Sequence, residues 1–180
     1  METEFRRQLA ALLPRLMRFA MALTRSRHEA EDLAQASCER ALARVGQWQP
    51  DTRLDSWMFR IMQTIWLNEL RARSVRERYR TTLALGDELS APAEPEAQAR
   101  LMLSQVSEKV LELPPEQRVV LILVCVEGLT YREAADAIGV PIGTVMSRLA
   151  RARLGLMKAL GESDGAGTEN VVRMAAKWQT

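Results

Sequence analysis

Residues 130–153 read TYREAADAIGVPIGTVMSRLARAR, and the local signals in them are sharp. Thr130-Tyr131-Arg132-Glu133 has the Thr-x-x-Glu form of a capping box, in which each side chain satisfies an orphan amide at a helix start. The helix it opens is short and stops at Gly139, and Gly139-Val140-Pro141 makes a tight turn. A longer helix is predicted from about Ile142 to Leu160, and no acidic residue occurs between Gly139 and Gly161. Ala135, small and one turn before the corner, lets the two helices approach closely. Val145 and Leu149 then point into a core, leaving Thr144, Ser147, Arg148 and Arg151 outward. A short capped helix, a tight turn and a basic helix is the arrangement that places a second helix in the major groove of DNA. Arginine suits bidentate contact with guanine or a phosphate clamp, and Thr or Ser reaches base edges or backbone. A merely solvated basic helix would need neither this turn chemistry nor the absence of acidic partners.

Periodicity extends the helical reading upstream. Leu101, Leu103, Val106, Val110 and Leu113 recur at helical spacing until Pro114-Pro115, and Pro115 can open a helix running through Val126 with Gly128 as its stop. Before that, from about Thr81 to Glu96, the apolar period fades and Gly86, Pro92 and Pro95 mark a linker. The first block begins with Leu9, Leu12, Leu13, Leu16, Met17, Ala20 and Leu23 on one helical face, with Pro14 either kinking the helix or marking its first turn. A second helix from about Glu29 to Val45 carries Leu33, Cys38, Leu42 and Val45 on one side. Residues 46–52, with Gly, Pro and Asp, form a loop. A third helix from about Leu54 to Arg73 turns Met58, Ile61, Met62, Ile65 and Trp66 inward, and Trp57 joins the core. Its other side is a polar stripe of Arg60, Thr64, Asn68 and Arg71. No strand-like stretch competes. The fold class is therefore all-α: a helical domain over 1–80, a linker over 81–100, a helix-turn-helix domain over 101–160 and a tail over 161–180.

Composition agrees and excludes much else. The 180 residues hold only 9 Gly and 7 Pro, which suits packed helices over a sandwich or a disordered chain. Cys38 and Cys125 are too far apart for a zinc pair and fit a reducing cytoplasm. One histidine, His28, leaves no basis for a histidine-rich metal site, and it reads as a surface residue. GxxxxGK, GxGxxG and HExxH are absent, so no enzyme, cofactor or metal is expected. The longest apolar run, Val119 to Val126, falls short of the roughly twenty residues that cross a bilayer. Leu9 to Leu13 is cut by Pro14-Arg15, giving no signal-peptide core. A soluble cytoplasmic protein is expected. The net charge of +2 is unevenly spread: residues 1–80 carry 15 basic against 10 acidic side chains, 81–100 carry 1 against 4, and 101–160 carry 7 against 6. Two basic-leaning blocks flank an acidic strip.

Both halves together resemble the extracytoplasmic-function (group IV) sigma factors. Glu31-Asp32-Leu33-Ala34-Gln35 with Glu39-Arg40-Ala41-Leu42 is similar to that family's AEDLVQ…RAL helix. Trp48-Gln49-Pro50 and Leu54-Asp55-Ser56-Trp57-Met58-Phe59-Arg60-Ile61 look like its promoter-melting loop and the helix after it. Leu113-Pro114-Pro115-Glu116-Gln117-Arg118, Glu127-Gly128-Leu129-Thr130-Tyr131 and Gly143 to Arg153 match its C-terminal helix-turn-helix. The resemblance implies a monomeric subunit that binds core RNA polymerase and promoter DNA and is controlled by an anti-sigma factor. It implies docking on the polymerase by Asp32, Leu33, Gln35, Glu39 and Arg40. It further implies −10 contacts by Trp48, Gln49 and Arg53 and by the stripe Arg60, Thr64, Asn68 and Arg71, with −35 contacts by Thr144, Ser147, Arg148 and Arg151. A base stacked on the Trp48 ring would gain about 1–3 kcal/mol; the other reading of Trp48 is a loop aromatic folded onto its own domain.

Two departures limit the transfer. The family often has Asn where Thr64 stands and an acid where Asn68 stands, so −10 specificity does not carry over. Met146 replaces a common Lys or Arg in the second helix. A linker of roughly twenty residues spans at most about 70 Å, near two duplex turns of ~34–36 Å, so one chain can touch two separated elements. The competing class is a stand-alone helix-turn-helix regulator, which would bind duplex DNA unaided, usually as a dimer. In the tail, Val171, Met174, Ala175 and Trp178 form an apolar stripe. It reads as a frayed terminus, the alternative being a stripe that folds against the body or a partner.

Overall fold

The computed structural model describes residues 2–49, 52–80 and 99–161. The stretches 81–98 and 162–180, where the sequence predicts most of the linker and the tail stripe, lie outside them. All regular structure among the described residues is helical. An N-terminal bundle is formed by α1 (Glu2–Leu23), α2 (Arg27–Ala43) and α3 (Leu54–Arg80), with a 3₁₀ turn at Val45–Gln47. A C-terminal bundle follows, made of α4 (Ala99–Glu112), α5 (Pro115–Leu121), α6 (Tyr131–Ile138) and α7 (Ile142–Gly161).

Helix α1 continues through Pro14, which lies on the exposed side. Its buried line is Phe5, Leu9, Leu16, Phe19, Ala20 and Leu23. Leu13, read as inward from the pattern, is exposed instead. Ser26 caps α2 by accepting from the Glu29 amide, and α2 turns Ala30, Leu33, Ser37 and Ala41 inward. That line is rotated from the expected Leu33, Cys38, Leu42 and Val45, which apart from Leu33 are only partly buried. The reason is close packing: small residues let α2 approach α1 and α3, and the Ser37 hydroxyl is satisfied by donating to the Leu33 carbonyl at 2.6 Å. Helix α3 buries Leu54, Met58, Phe59, Met62 and Trp66, with Phe59 against Phe19 at 4.7 Å between ring centroids. Each such side chain contributes ~1.5–3 kcal/mol by leaving water. Trp57, assigned to the core from sequence, is only half-buried and stands edge-on to Phe5.

In the C-terminal bundle Pro115 does occupy the first helical position. The helix expected to reach Val126 changes at Ile122 into a single π turn, with the Glu127 amide donating back to Ile122 and the Leu129 amide to Leu123, both at 3.0 Å. Gly128 then takes a left-handed φ of 69°.

The bundles are not separate. Their buried residues form one continuous cluster, with α3 against α6 and α1 against α4 and the π turn. Arg118 of α5 reaches across. It donates to the Leu23 carbonyl at the end of α1 and to Leu111 and Leu113 of its own bundle, and its guanidinium lies 5.2 Å from the Trp66 ring centre. Burial, helped by the charge of Arg25, pulls its pKa down to about 10, still a cation at neutral pH.

Candidate nucleic-acid interface

The helix-turn-helix is built as its residues dictate. Thr130 Oγ1 accepts from the Glu133 amide at 3.2 Å, while Glu133 Oε2 accepts from the Thr130 amide and hydroxyl at 2.8 Å. Gly139 ends α6 in the left-handed region (φ 68°), and its amide and that of Val140 both donate to Ala135. Val145, Leu149, Ala152 and Leu156 lock α7 into the core. That orientation leaves Arg151 exposed and Thr144, Ser147 and Arg148 half-exposed along the opposite side. Arg153, one turn away, instead engages the Cys125 thiol, which burial nonetheless pushes up. Beside the polar side runs an exposed apolar flank of Ile142, Met146, Leu154 and Met157.

Where the two bundles meet, a cleft of about 460 Å³ opens between α6 on one side and residues 47–49 and the start of α3 on the other. It is lined by Gln47, Trp48, Gln49, Thr52, Arg53, Ser56, Trp57 and Arg60, and closed by Glu133 and Asp136. The Trp48 ring is 5 % exposed and rests on Phe5 with centroids 5.3 Å apart. At that exposure the ring is not open to a stacking base where it lies. Its Nε1 is buried without a hydrogen-bond acceptor. Arg53 spans two acids: Nε and Nη2 bind Asp55 at 3.1 and 2.7 Å, and Nη1 pairs with Glu133 of the other bundle. Arg60 lies against the corner of the helix-turn-helix, where a Cβ on Gly139 would sit 2.7 Å from Nη2. Farther along α3, Thr64, Asn68 and Arg71 are exposed, with Arg71 donating to Asn68.

Asp55 is the hinge of this charge arrangement. It also receives Arg15 of α1 at 2.5 Å, and Arg15 in turn holds Glu127 at 2.5 Å. Burial would raise the Asp55 pKa, but Arg53, the Ser56 amide and Arg15 outweigh it and hold the carboxyl below its ordinary value. Arg118 and Glu127 stand in the stretches that resemble the family, but no role was expected of them or of Arg15. Their partners lie up to 112 residues away, so no local pattern gives those contacts.

Of the residues expected to dock on polymerase, Asp32, Gln35 and Glu39 are exposed on α2 and Arg40 is half-exposed. Gln35 donates to Glu39 at 2.9 Å. Leu33 is 2 % exposed and belongs to the bundle core, so the surface of α2 is made without it. His28 is exposed, 3.7 Å from Asp32. Burial pushes the Cys38 thiol up, with Glu39 adding to it. Among the described residues no group of His, Cys, Asp and Glu is placed to hold a metal ion, and no helix is long and apolar enough to cross a membrane.

Comparison with known proteins covers both bundles. The family described as Sigma-70, region 4 matches residues 103–156, and that described as the Sigma2 domain of PhyR matches residues 9–63. The ECF RNA polymerase sigma factor EcfG of Rhodopseudomonas palustris is 34% identical over 171 residues, covering 93% of this chain and 92% of that protein. The sigma factor RpoE of Bartonella quintana, solved in complex with the anti-sigma factor NepR, matches with a TM-score of 0.73 at 28% identity, over 88% of this chain and 97% of that one. CnrH, solved with the cytosolic domain of CnrY, shares the fold with a TM-score of 0.64 over 91% of each chain, at 24% identity. With one relative alike over nearly its whole length and both bundles matched, the chain belongs to the extracytoplasmic-function RNA polymerase sigma factors.

Proposed function

We propose that the protein binds core RNA polymerase, directs it to promoters as a monomeric subunit, and is held inactive by an anti-sigma factor. The observation that carries this reading is the pairing in one chain of a capped helix-turn-helix with an acid-free second helix and a bundle whose polar stripe is Arg60, Thr64, Asn68 and Arg71. Thr144, Ser147, Arg148 and Arg151 read the upstream (−35) element in the major groove, each bidentate arginine contact discriminating by about 1–3 kcal/mol. Gln49, Arg53, Arg60 and the rest of the α3 stripe meet the downstream (−10) element. Unstacking a base there costs a few kcal/mol, offset by the contacts it gains in the cleft. Trp48 takes part only once its ring leaves Phe5. Asp32, Gln35, Glu39 and Arg40 give α2 a mixed-charge surface that phosphate would reject and a protein partner accepts. The N-terminal and C-terminal bundles act as two domains, 1–80 and 101–160, on an acidic tether, and the cytoplasm is where they work. No cofactor is needed and no enzymatic step is assigned.

The test is reconstitution. Bacterial core RNA polymerase mixed with the full chain should give transcripts from defined start sites that core alone does not give. Tight, paired-site binding of duplex DNA by the free chain, with no polymerase-dependent transcript, would instead make it a stand-alone regulator.

A further inference from the structure

Helix α7 has two exposed sides, and DNA accounts for only one of them. Beside Thr144, Ser147, Arg148 and Arg151 runs a row of Met146, Ala150, Leu154 and Met157, all exposed. Steps of 4, 4 and 3 residues put these four on one helical face. Leu154 is 69% exposed, the most open of the large hydrophobic side chains among the described residues. Single surface hydrophobes are ordinary, but a contiguous row marks a surface that something covers.

The sequence that follows α7 fits it. The helix ends at Gly161, a residue type that stops helices. Residues 162–167, with Gly165 and Gly167, then lead to Thr168, a connection within the roughly 2–8 residues usual between neighbouring helices. Thr168 is of the N-cap type, and Glu169 suits a first helical turn. Beyond it Val171, Met174, Ala175 and Trp178 fall at i, i+3, i+4 and i+7.

The two rows match in reverse. Backwards along α7, Met157, Leu154 and Ala150 are separated by 3 and 4; forwards along the tail, Val171, Met174 and Trp178 are separated by 3 and 4. Laid antiparallel, Val171 meets Met157, Met174 meets Leu154, and the bulky Trp178 meets the small Ala150. Large against small is what lets facing helices interdigitate. The reach agrees as well: at ~1.5 Å per residue, a helix over 168–179 is about 18 Å long, the length of α7 from 150 to 161. Charge favours the same return, since 162–169 carries Glu162, Asp164 and Glu169 with no basic residue, beside a helix that has no acid. A helix this short is marginal in water alone, so covering its apolar side is what would let it form.

We propose that residues 168–179 form a helix that docks antiparallel on the Met146, Ala150, Leu154 and Met157 row and completes the C-terminal bundle. Arg148 lies about 160° round α7 from Ala150, so the docked tail does not cover it. The tail thus seals the apolar flank of the helix-turn-helix's second helix from within the chain.

The test is hydrogen–deuterium exchange of the full chain, read by mass spectrometry. Amides of 171–179 should exchange at least about tenfold more slowly than in a free peptide of that sequence, as for a segment docked some nine-tenths of the time. Leu154→Lys, at a position open enough to bear it, should return them to the free-peptide rate while α5 and α6 keep theirs. Trp178→Ala should do the same from the tail's side, and Ala150→Trp, by filling the small place opposite Trp178, should loosen the tail's last turn most. Free-peptide rates in the unmodified tail would overturn the proposal. So would protection that survives both Leu154→Lys and Ala150→Trp, which would seat the tail elsewhere. Protection that rises with protein concentration alongside a doubled mass would make the occupant a second copy, and protection that appears only with core polymerase added would give the tail to a partner; either result also overturns it.

Discussion

The two bundles differ in where their functional geometry comes from. In the C-terminal bundle every determinant is local: Thr130 and Glu133 are one turn apart, Gly139 closes the helix they open, and α7 follows from its own period. In the N-terminal bundle the determinants are remote. Trp48 is placed by Phe5, Asp55 by Arg15, and Arg53 by a glutamate 80 residues away. A site built from neighbours survives as long as its helix does, whereas one built across the fold depends on the core beneath it.

The largest effect should therefore come from that core. Phe59 is fully buried, packs on Phe19 and has the Arg15 guanidinium 5.1 Å from its ring centre. Phe59→Ala should lower unfolding free energy by ~3–5 kcal/mol, read by urea denaturation. It should also loosen Arg15 and with it the 45–57 segment, so that tryptophan emission shifts even where the helices persist. A loss under about 0.5 kcal/mol, within the range of a surface change, would mean that this bundle is as local as its neighbour.

The second effect sharpens the contrast from the other side. Thr130→Ala removes the cap and should cost about 1 kcal/mol, with weaker promoter use but little change at the first bundle's face. Glu133→Gln, able to keep the capping acceptor, should cost less in stability. If the two were equal in stability, the charge of Glu133 and not its cap would be holding α6.

The smallest effect is the acid response of Asp55. Its carboxyl sits below the ordinary 3.8 in the folded protein, so the stabilisation it supplies is complete above that value and is lost as pH falls through its lower folded value. Urea midpoints between pH 5 and pH 2.5 should fall more steeply for the wild type than for Asp55→Asn. Parallel profiles would show that Arg53 and Arg15 do not favour the anion.

The same division explains what could be read from the chain unaided. The helical class, the capping box, the glycine corner and the inward line Val145, Leu149 were legible because each is decided within a turn or two. The face of α2 was misjudged by the width of one residue, since Ala30, Ser37 and Ala41 are chosen for close approach and carry little hydrophobic signal. Leu13 was placed inward by period, and the third dimension put it outside; Leu33 was placed inward by period, as it lies, and only the resemblance put it on the docking surface. Arg118 looks like any basic residue until the carbonyl of Leu23, 95 residues earlier, is brought to it. The π turn at Ile122–Val126 has no sequence signal beyond an unbroken apolar run.

Footprinting of the reconstituted holoenzyme, on a promoter it selects from genomic fragments, tests most directly whether one chain reads two elements. Protection should appear in two patches about two duplex turns (~34–36 Å each) apart. Arg148→Ala should weaken the upstream patch by about tenfold or more, and Arg60→Ala should disturb only the downstream one. A single protected patch, or equal protection by the free chain without polymerase, would contradict it.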